Sequence, residues 1–181
     1  MIIQTFSLDD LKSGKAFMIS DSYSEFRVLE YRQQLDEILS KHHEKERELM
    51  KKITNLLTIA VKENSDSRYK VFLNDFRVAT KELSEHFDKE EQIVFPLMYV
   101  NDKYDKETVF YIDTMVDEHR SQERKVVALQ DRMYIFDSIE YGAIRTDLQK
   151  FFVDLSIHIT KEDEITYPSY IDSVTNLCKK S

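Results

Sequence analysis

The chain has 181 residues and a formal net charge of −8, which argues against nucleic acid or an anionic membrane surface as a partner. Two glycines and two prolines are too few for the frequent turns of a sheet protein, so the composition predicts one all-α domain built from a few long helices. The single cysteine, Cys178, excludes a disulfide or a thiolate metal cluster within these residues and favours a reducing compartment.

The first residues, MIIQTFSLDD, lack the basic start and the sustained apolar stretch of a secretory signal. No run approaches the roughly 20 apolar residues of a membrane-spanning helix. We therefore expect a cytoplasmic protein that has no membrane partner.

We expect residues 1–24 to form an N-terminal arm. Apolar residues at steps of three and four then predict four helices, at about 25–63, 68–99, 106–136 and 143–166. The links between them are short, which favours an up-down-up-down four-helix bundle. The bundle is expected over residues 25–172, and a C-terminal tail over 173–181.

Two stretches, HFDKEEQIVFP (86–96) and HITKEDEITYP (158–168), repeat one pattern and end at the two prolines of the chain. In each, a glutamate follows a histidine by four places. Residues four apart lie on the same side of a helix, so both members of each pair fall on the predicted apolar stripe. The third helix has the same spacing between His119 and Glu123.

A glutamate on the buried face of a bundle is costly unless something compensates its charge. A bound cation would do so, and imidazole with carboxylate suits iron, manganese or zinc. Mid-helix positions meet at one level of such a bundle, and every histidine of the chain is near the middle of a predicted helix: His42, His43, His86, His119 and His158. Four histidines with two or three glutamates are too many ligands for one tetrahedral zinc but suit two metal ions.

The alternative without metal is a purely structural bundle. A single core histidine is more often a hydrogen-bonded structural residue than a ligand, and a single His–Glu pair at this spacing is often an exposed pair. Three such pairs, each on the apolar stripe of its own helix and two of them inside a repeat, favour the metal site.

The two long motifs resemble the paired signatures of the hemerythrin-like, or HHE cation-binding, domain family. KHHEKERELMKKI (41–53) and DEHRSQE (117–123) resemble the motifs of its first and third helices. The resemblance covers about residues 25–172. It implies a four-helix bundle around a non-haem site of two iron ions joined by oxo and carboxylate bridges, although manganese and zinc suit the same ligand types. The ferritin-like alternative uses Glu-x-x-His, a spacing that does not occur here.

The resemblance also implies a role for each ligand. His86 and His158 would be terminal ligands, and Glu90 and Glu162 would be bridging carboxylates. Glu123 stands where oxygen-carrying members have a further histidine, and would be a seventh ligand or a group just outside the ligands. The implied metal set is His43, His86, Glu90, His119, Glu123, His158 and Glu162.

The first-helix ligand has two candidates. The resemblance favours His43, because leucine-type residues follow it at the family's spacing, whereas the apolar stripe alone fits His42 slightly better. No catalytic residue is assigned.

Within the family, the motif spacing looks most like the iron-sulfur-centre repair proteins, which are associated with damage by nitric oxide and peroxide. The chain departs from them in having no cysteine-bearing N-terminal domain and in its third-helix motif. The implied function is that of a stress-response di-iron protein that donates iron to damaged iron-sulfur proteins. Its small-molecule partner would be dioxygen, nitric oxide or peroxide. The alternative is a module that binds or senses dioxygen or nitric oxide without turnover.

Overall fold

The computed structural model describes residues 20–101 and 103–178, and every regular element in those ranges is helical. Five helices follow one another along the chain. Helix α1 is Ser20–Arg27 and helix α4 is Lys106–Gln130. The other three helices each contain a π-helical turn between two α-helical segments. Helix α2 consists of Tyr31–Ile38, the π turn Leu39–His43, and Glu44–Glu63. Helix α3 consists of Ser67–Lys89, the π turn Glu90–Val94, and Phe95–Val100. Helix α5 consists of Gly142–Lys161, the π turn Glu162–Thr166, and Tyr167–Cys178.

Helices α2 to α5 form the bundle. Helix α2 packs against α3 and α5, and α4 also packs against α3 and α5. Aspartates start two of these helices: Asp66 accepts a hydrogen bond from the backbone N–H of Arg68, and Asp105 accepts one from Thr108. The all-α four-helix bundle predicted from the sequence is confirmed. Within the described residues, no helix combines the length and the apolarity needed to cross a membrane.

The first predicted helix is divided in two. Helix α1 ends at Arg27, and α2 starts only at Tyr31. The side-chain amide of Gln34 donates hydrogen bonds to the carbonyls of Phe26 and Leu29, at 3.3 and 2.9 Å, which satisfies backbone groups freed by the break. Residues 1–19 of the predicted arm lie outside the described residues.

Two other helix ends differ from the prediction. Helix α4 stops at Gln130, and the 3₁₀ turns Met133–Phe136 and Ile139–Tyr141 lead to α5. Helix α5 continues past Pro168 to Cys178 instead of ending near Thr166. Pro168 is the second residue of the segment that follows the π turn, and a proline near the start of a helical segment breaks few backbone hydrogen bonds.

The π turns also change which residues face the core. A regular α-helix continued from Glu90 would bury Ile93 and Leu97, but the buried residues there are Val94 and Met98. A π turn holds one residue more than an α turn, so every position after Glu90 is shifted by one. Helical periodicity alone could not have shown this shift.

The buried apolar residues form two clusters. The larger one draws on the second part of α2, the first parts of α3 and α5, and the end of α4, and includes Ile53, Phe76, Leu129 and Phe151. The smaller one lies at the other end and includes Leu35, Phe95, Ile112 and Tyr170. Along each bundle helix, the buried histidines and glutamates lie where the two clusters meet.

Candidate metal centre

The π turns lie where the predicted ligands are. The turn in α2 contains His42 and His43, the turn in α3 begins at Glu90, and the turn in α5 begins at Glu162. Helix α4, which carries His119, is α-helical throughout Lys106–Gln130. Local π turns inside α-helices occur frequently at functional sites, because the widened turn redirects side chains.

Six buried residues form two overlapping groups at the centre of the bundle. Position A is the group His43, His158, Glu90 and Glu162. Position B is the group His86, His119, Glu90 and Glu162. In each group, one ligand atom from every residue lies within 4.8 Å of the others. The two glutamates belong to both groups.

Each shared carboxylate points one oxygen to each position. Oε1 of Glu90 lies 3.2 Å from Nε2 of His86 in position B, and its Oε2 lies 3.4 Å from Nε2 of His43 in position A. Glu162 is arranged in the same way, with Oε2 3.2 Å from Nε2 of His119 and Oε1 3.1 Å from Nε2 of His158. This is the arrangement that a carboxylate needs to bridge two ions.

The outer nitrogen of each of these histidines faces a carboxylate. The Nδ1 contacts are His43 to Glu91 at 2.9 Å, His86 to Glu118 at 3.0 Å, His119 to Asp163 at 2.7 Å, and His158 to Glu46 at 3.1 Å. A carboxylate at Nδ1 holds the ring proton there and leaves the lone pair on Nε2 for a metal. The four imidazoles are therefore oriented as ligands.

Several buried atoms at the centre have no hydrogen-bond partner among the described residues. They are Nε2 of His43 and His158, Oε2 of Glu90, and both carboxylate oxygens of Glu162. In position B, Nε2 of His86 lies 2.9 Å from Nε2 of His119, a contact that needs a proton on one of the two rings when no metal is bound. Cations between these atoms would satisfy all of them, and this mixed set of nitrogen and carboxylate donors suits iron, manganese or zinc.

A family model for the hemerythrin HHE cation-binding domain matches residues 34–170. The chain belongs to this family. A search among curated proteins gave no significant match. Domains of this family bind metal ions, usually iron, so the chain is a metal-binding helical domain.

In the metal-free HHE domain, protons take the place of the cations. Burial opposes charge on Glu90, but the neighbouring His86 and His43 hold its pKa well below the usual value. Burial also opposes charge on His119, but the hydrogen bond to Asp163 and the close carboxylate of Glu162 raise its pKa to about 10. Because a protonated imidazole cannot bind a metal, metal loading must displace protons.

Tyr167 reaches the centre of this HHE domain from the last part of α5. Its hydroxyl donates a 2.6 Å hydrogen bond to Oε1 of Glu90. Burial and the charges of Glu162 and Glu90 raise the pKa of the phenol well above its usual value. The phenol therefore acts as a hydrogen-bond donor.

His42 lies outside both metal positions. We define the His42 network as His42, Lys161, Glu37, Asp154 and Lys45. The ammonium of Lys161 contacts Nε2 of His42 at 3.2 Å and Oε1 of Glu37 at 2.9 Å. On its other side, His42 has Nδ1 3.5 Å from Asp154, which also pairs with Lys45. His42, Glu46 and Asp154 form a third group that could hold a metal ion, but Lys161 and Lys45 already lie against it.

Glu123 is not brought to the centre. It is half-buried, and the buried residue of that turn is Gln122. The buried face of α4 runs through His119, Gln122 and Val126 at steps of three and four. The predicted stripe through Glu123 is therefore off by one residue.

Sequence reasoning missed the four carboxylates that hold Nδ1. Two of them had a signal, because Glu91 and Asp163 each follow the repeated glutamate directly. The other two, Glu46 and Glu118, come from helices whose motifs are short. Glu118 is held by Lys89 and His86, which lower its pKa to about 2.

Proposed function

We propose that this chain is a di-iron protein in which four histidines and two bridging carboxylates hold the metal ions. The proposed ligands are His43 and His158 in position A, His86 and His119 in position B, and Glu90 and Glu162 in both. The observation that carries the proposal is the pair of shared glutamates, each with one oxygen facing each position. Glu123 is not included.

Two bound iron ions would supply one-electron chemistry and a binding place for a small ligand such as dioxygen, nitric oxide or peroxide. The chain contributes the rest of the site. The carboxylates at Nδ1 fix the ring protons, and Tyr167 donates a hydrogen bond to Glu90. The two apolar clusters on either side keep bulk water away from the buried carboxylates.

The proposed role is a response to nitric oxide or oxidative stress, with iron donated to damaged iron-sulfur proteins in the cytoplasm. The support is chemical: Glu123 stands where oxygen carriers have a further histidine, so the proposed site has four histidine ligands beside its two carboxylates. A smaller share of neutral imidazole ligands favours the ferric state and weakens reversible oxygen carriage. A site that is poor at carriage is suited to redox-linked iron release.

The test is to incubate iron-loaded protein with an enzyme whose iron-sulfur cluster has lost iron. We expect faster recovery of enzyme activity than with the same amount of free ferrous iron. The His158→Ala variant, which lacks a position A ligand, should restore less activity per chain. No recovery beyond free ferrous iron would contradict donation. Optical bands that appear under oxygen and disappear on purging would favour the binding or sensing module instead.

A further inference from the structure

The metal centre has an internal two-fold symmetry that follows the sequence repeat. His86 and Glu90 of the first motif correspond to His158 and Glu162 of the second. In the structure, this exchange also relates His43 to His119, and it turns position A into position B. Even the outer carboxylates correspond, because Glu91 holds His43 and Asp163 holds His119. The two metal positions would be equivalent if the symmetry were complete.

The symmetry breaks at one aromatic residue. The second motif has Tyr167 where the first has Phe95. Both rings are buried and lie against a histidine of a neighbouring helix, with centroids 6.3 Å apart for Tyr167 and His119 and 5.9 Å apart for Phe95 and His43. Only the tyrosine has a hydroxyl, and it donates to Oε1 of Glu90.

Glu162, which corresponds to Glu90 in the repeat, receives no such bond from a hydroxyl. Both carboxylate oxygens of Glu162 lack a hydrogen-bond partner among the described residues. The oxygen bonded by Tyr167 is the one that faces His86 in position B, at 3.2 Å. A hydrogen bond to a coordinating oxygen draws electron density from it and weakens its donation to a metal.

Cations near the outer carboxylates do not add to this difference. In position B, Glu118 holds His86 and also binds Lys89. In position A, Glu91 holds His43 and also binds Arg47. Each position therefore has one histidine whose outer carboxylate is shared with a cation, and the hydroxyl of Tyr167 is the feature that distinguishes the two positions.

We propose that Tyr167 is a positioning residue that makes the two metal positions unequal, so that the ion at position B leaves first. This inference rests on the proposed two-metal centre and identifies the ion that would be donated. One ion could then leave while the other keeps the buried carboxylates compensated.

The test measures iron release from protein loaded anaerobically with ferrous iron, after an excess of a coloured ferrous chelator is added. The intact protein should release its iron in two phases of about one ion each. Tyr167→Phe should slow the fast phase about tenfold, the scale of one hydrogen bond to a charged group, and leave the slow phase unchanged. His119→Ala, which removes a position B ligand, should abolish the fast phase.

The matched variant is Phe95→Tyr, which adds a hydroxyl at the equivalent place and should speed the slow phase. Circular dichroism and a thermal melt show whether each variant is folded. If Tyr167→Phe changes both phases equally, or neither, the inference is overturned while the two-metal centre stands. If the intact protein binds fewer than two ions, the proposed function itself is overturned.

Discussion

Two buried polar clusters lie side by side in this bundle, and they compensate their charges in different ways. The His42 network neutralises its carboxylates with its own lysines, Lys161 and Lys45. The metal centre has no lysine or arginine among its six residues. Among the described residues, nitrogen atoms of its histidines and oxygen atoms of its glutamates are buried without a hydrogen-bond partner. The clusters are close enough for His42 to stack on His158, with ring centroids 5.3 Å apart.

This contrast separates structural charge from functional charge. Buried carboxylates must be compensated, because taking an unpaired charge out of water is costly. Where the chain supplies the countercharge, as at Lys161, no external cation is needed for charge balance, and the atoms left without a hydrogen-bond partner among the described residues are Nδ1 of His42 and Oδ2 of Asp154. Where it supplies only lone pairs, as at Glu162, an ion must come from outside. His42 and His43 are adjacent in the sequence, but His42 belongs to the lysine-compensated network and His43 to the metal centre.

The largest effect is expected from Glu162→Ala, because Glu162 belongs to both metal positions. Bound iron should fall from about two ions per chain to less than one, and the stabilisation by metal should be lost. Metal analysis and thermal unfolding with and without iron would measure both effects. The control is Glu85→Ala at an exposed glutamate. Retention of two ions in Glu162→Ala would refute the bridging role.

Next in size is the difference between two adjacent histidines. His43→Ala should lose about one iron ion per chain, since His43 belongs to position A. His42→Ala should keep both ions, since His42 belongs to neither metal position and its Nε2 faces the ammonium of Lys161. The two variants are matched in sequence position and in burial. Equal iron loss in both would show that the two clusters are not separate.

The His42 network should be sensitive to loss of its buried lysine. Lys161→Met should lower the free energy of unfolding of the metal-free protein by about 1–3 kcal/mol, because it leaves Nε2 of the buried His42 without its hydrogen-bond partner. The control is Lys41→Met: Lys41 pairs with the same Glu37, but its side chain is 65 % exposed against 4 % for Lys161. That control should cost less than about 1 kcal/mol. Denaturant titration measures both, and equal losses would contradict the contrast.

The metal centre should show opposite pH dependences with and without metal. The pKa of His119 is raised to about 10, so its contribution to the stability of the metal-free protein is full below about pH 6.5 and lost as pH rises through about 10. Metal binding needs the unprotonated ring, so iron affinity should instead increase with pH. Loading iron at pH 7 should release protons, measurable with a pH indicator in weak buffer. Loading without proton release would show that the imidazoles are already neutral.

The smallest effect is expected from Glu123→Ala. Glu123 is not among the residues of either metal position, so bound iron should stay at about two ions per chain. Metal analysis beside Glu162→Ala provides the comparison. A loss of iron would restore Glu123 as the seventh ligand predicted from the sequence.

Six of the seven residues predicted as ligands are brought together, and the reason is local. A helix places residues four apart on one side, so the pairs His86–Glu90 and His158–Glu162 could be recognised from spacing alone. The third pair was misplaced because the buried face of its helix turns through Gln122 and not through Glu123. Spacing says that two residues share a side, but not which side faces the partners.

The sequence by itself determined the all-α bundle, its helices and the repeated pairs, since these depend on periodicity and on contacts within one helix. Only the tertiary structure put His43 and not His42 beside the shared glutamates, brought carboxylates to the outer histidine nitrogens and placed Tyr167 against Glu90. Those contacts join residues far apart in the chain, such as Glu46 and His158. They depend on how the four helices are rotated against one another. Each π turn adds one residue and so shifts by one position the side chains that face the core.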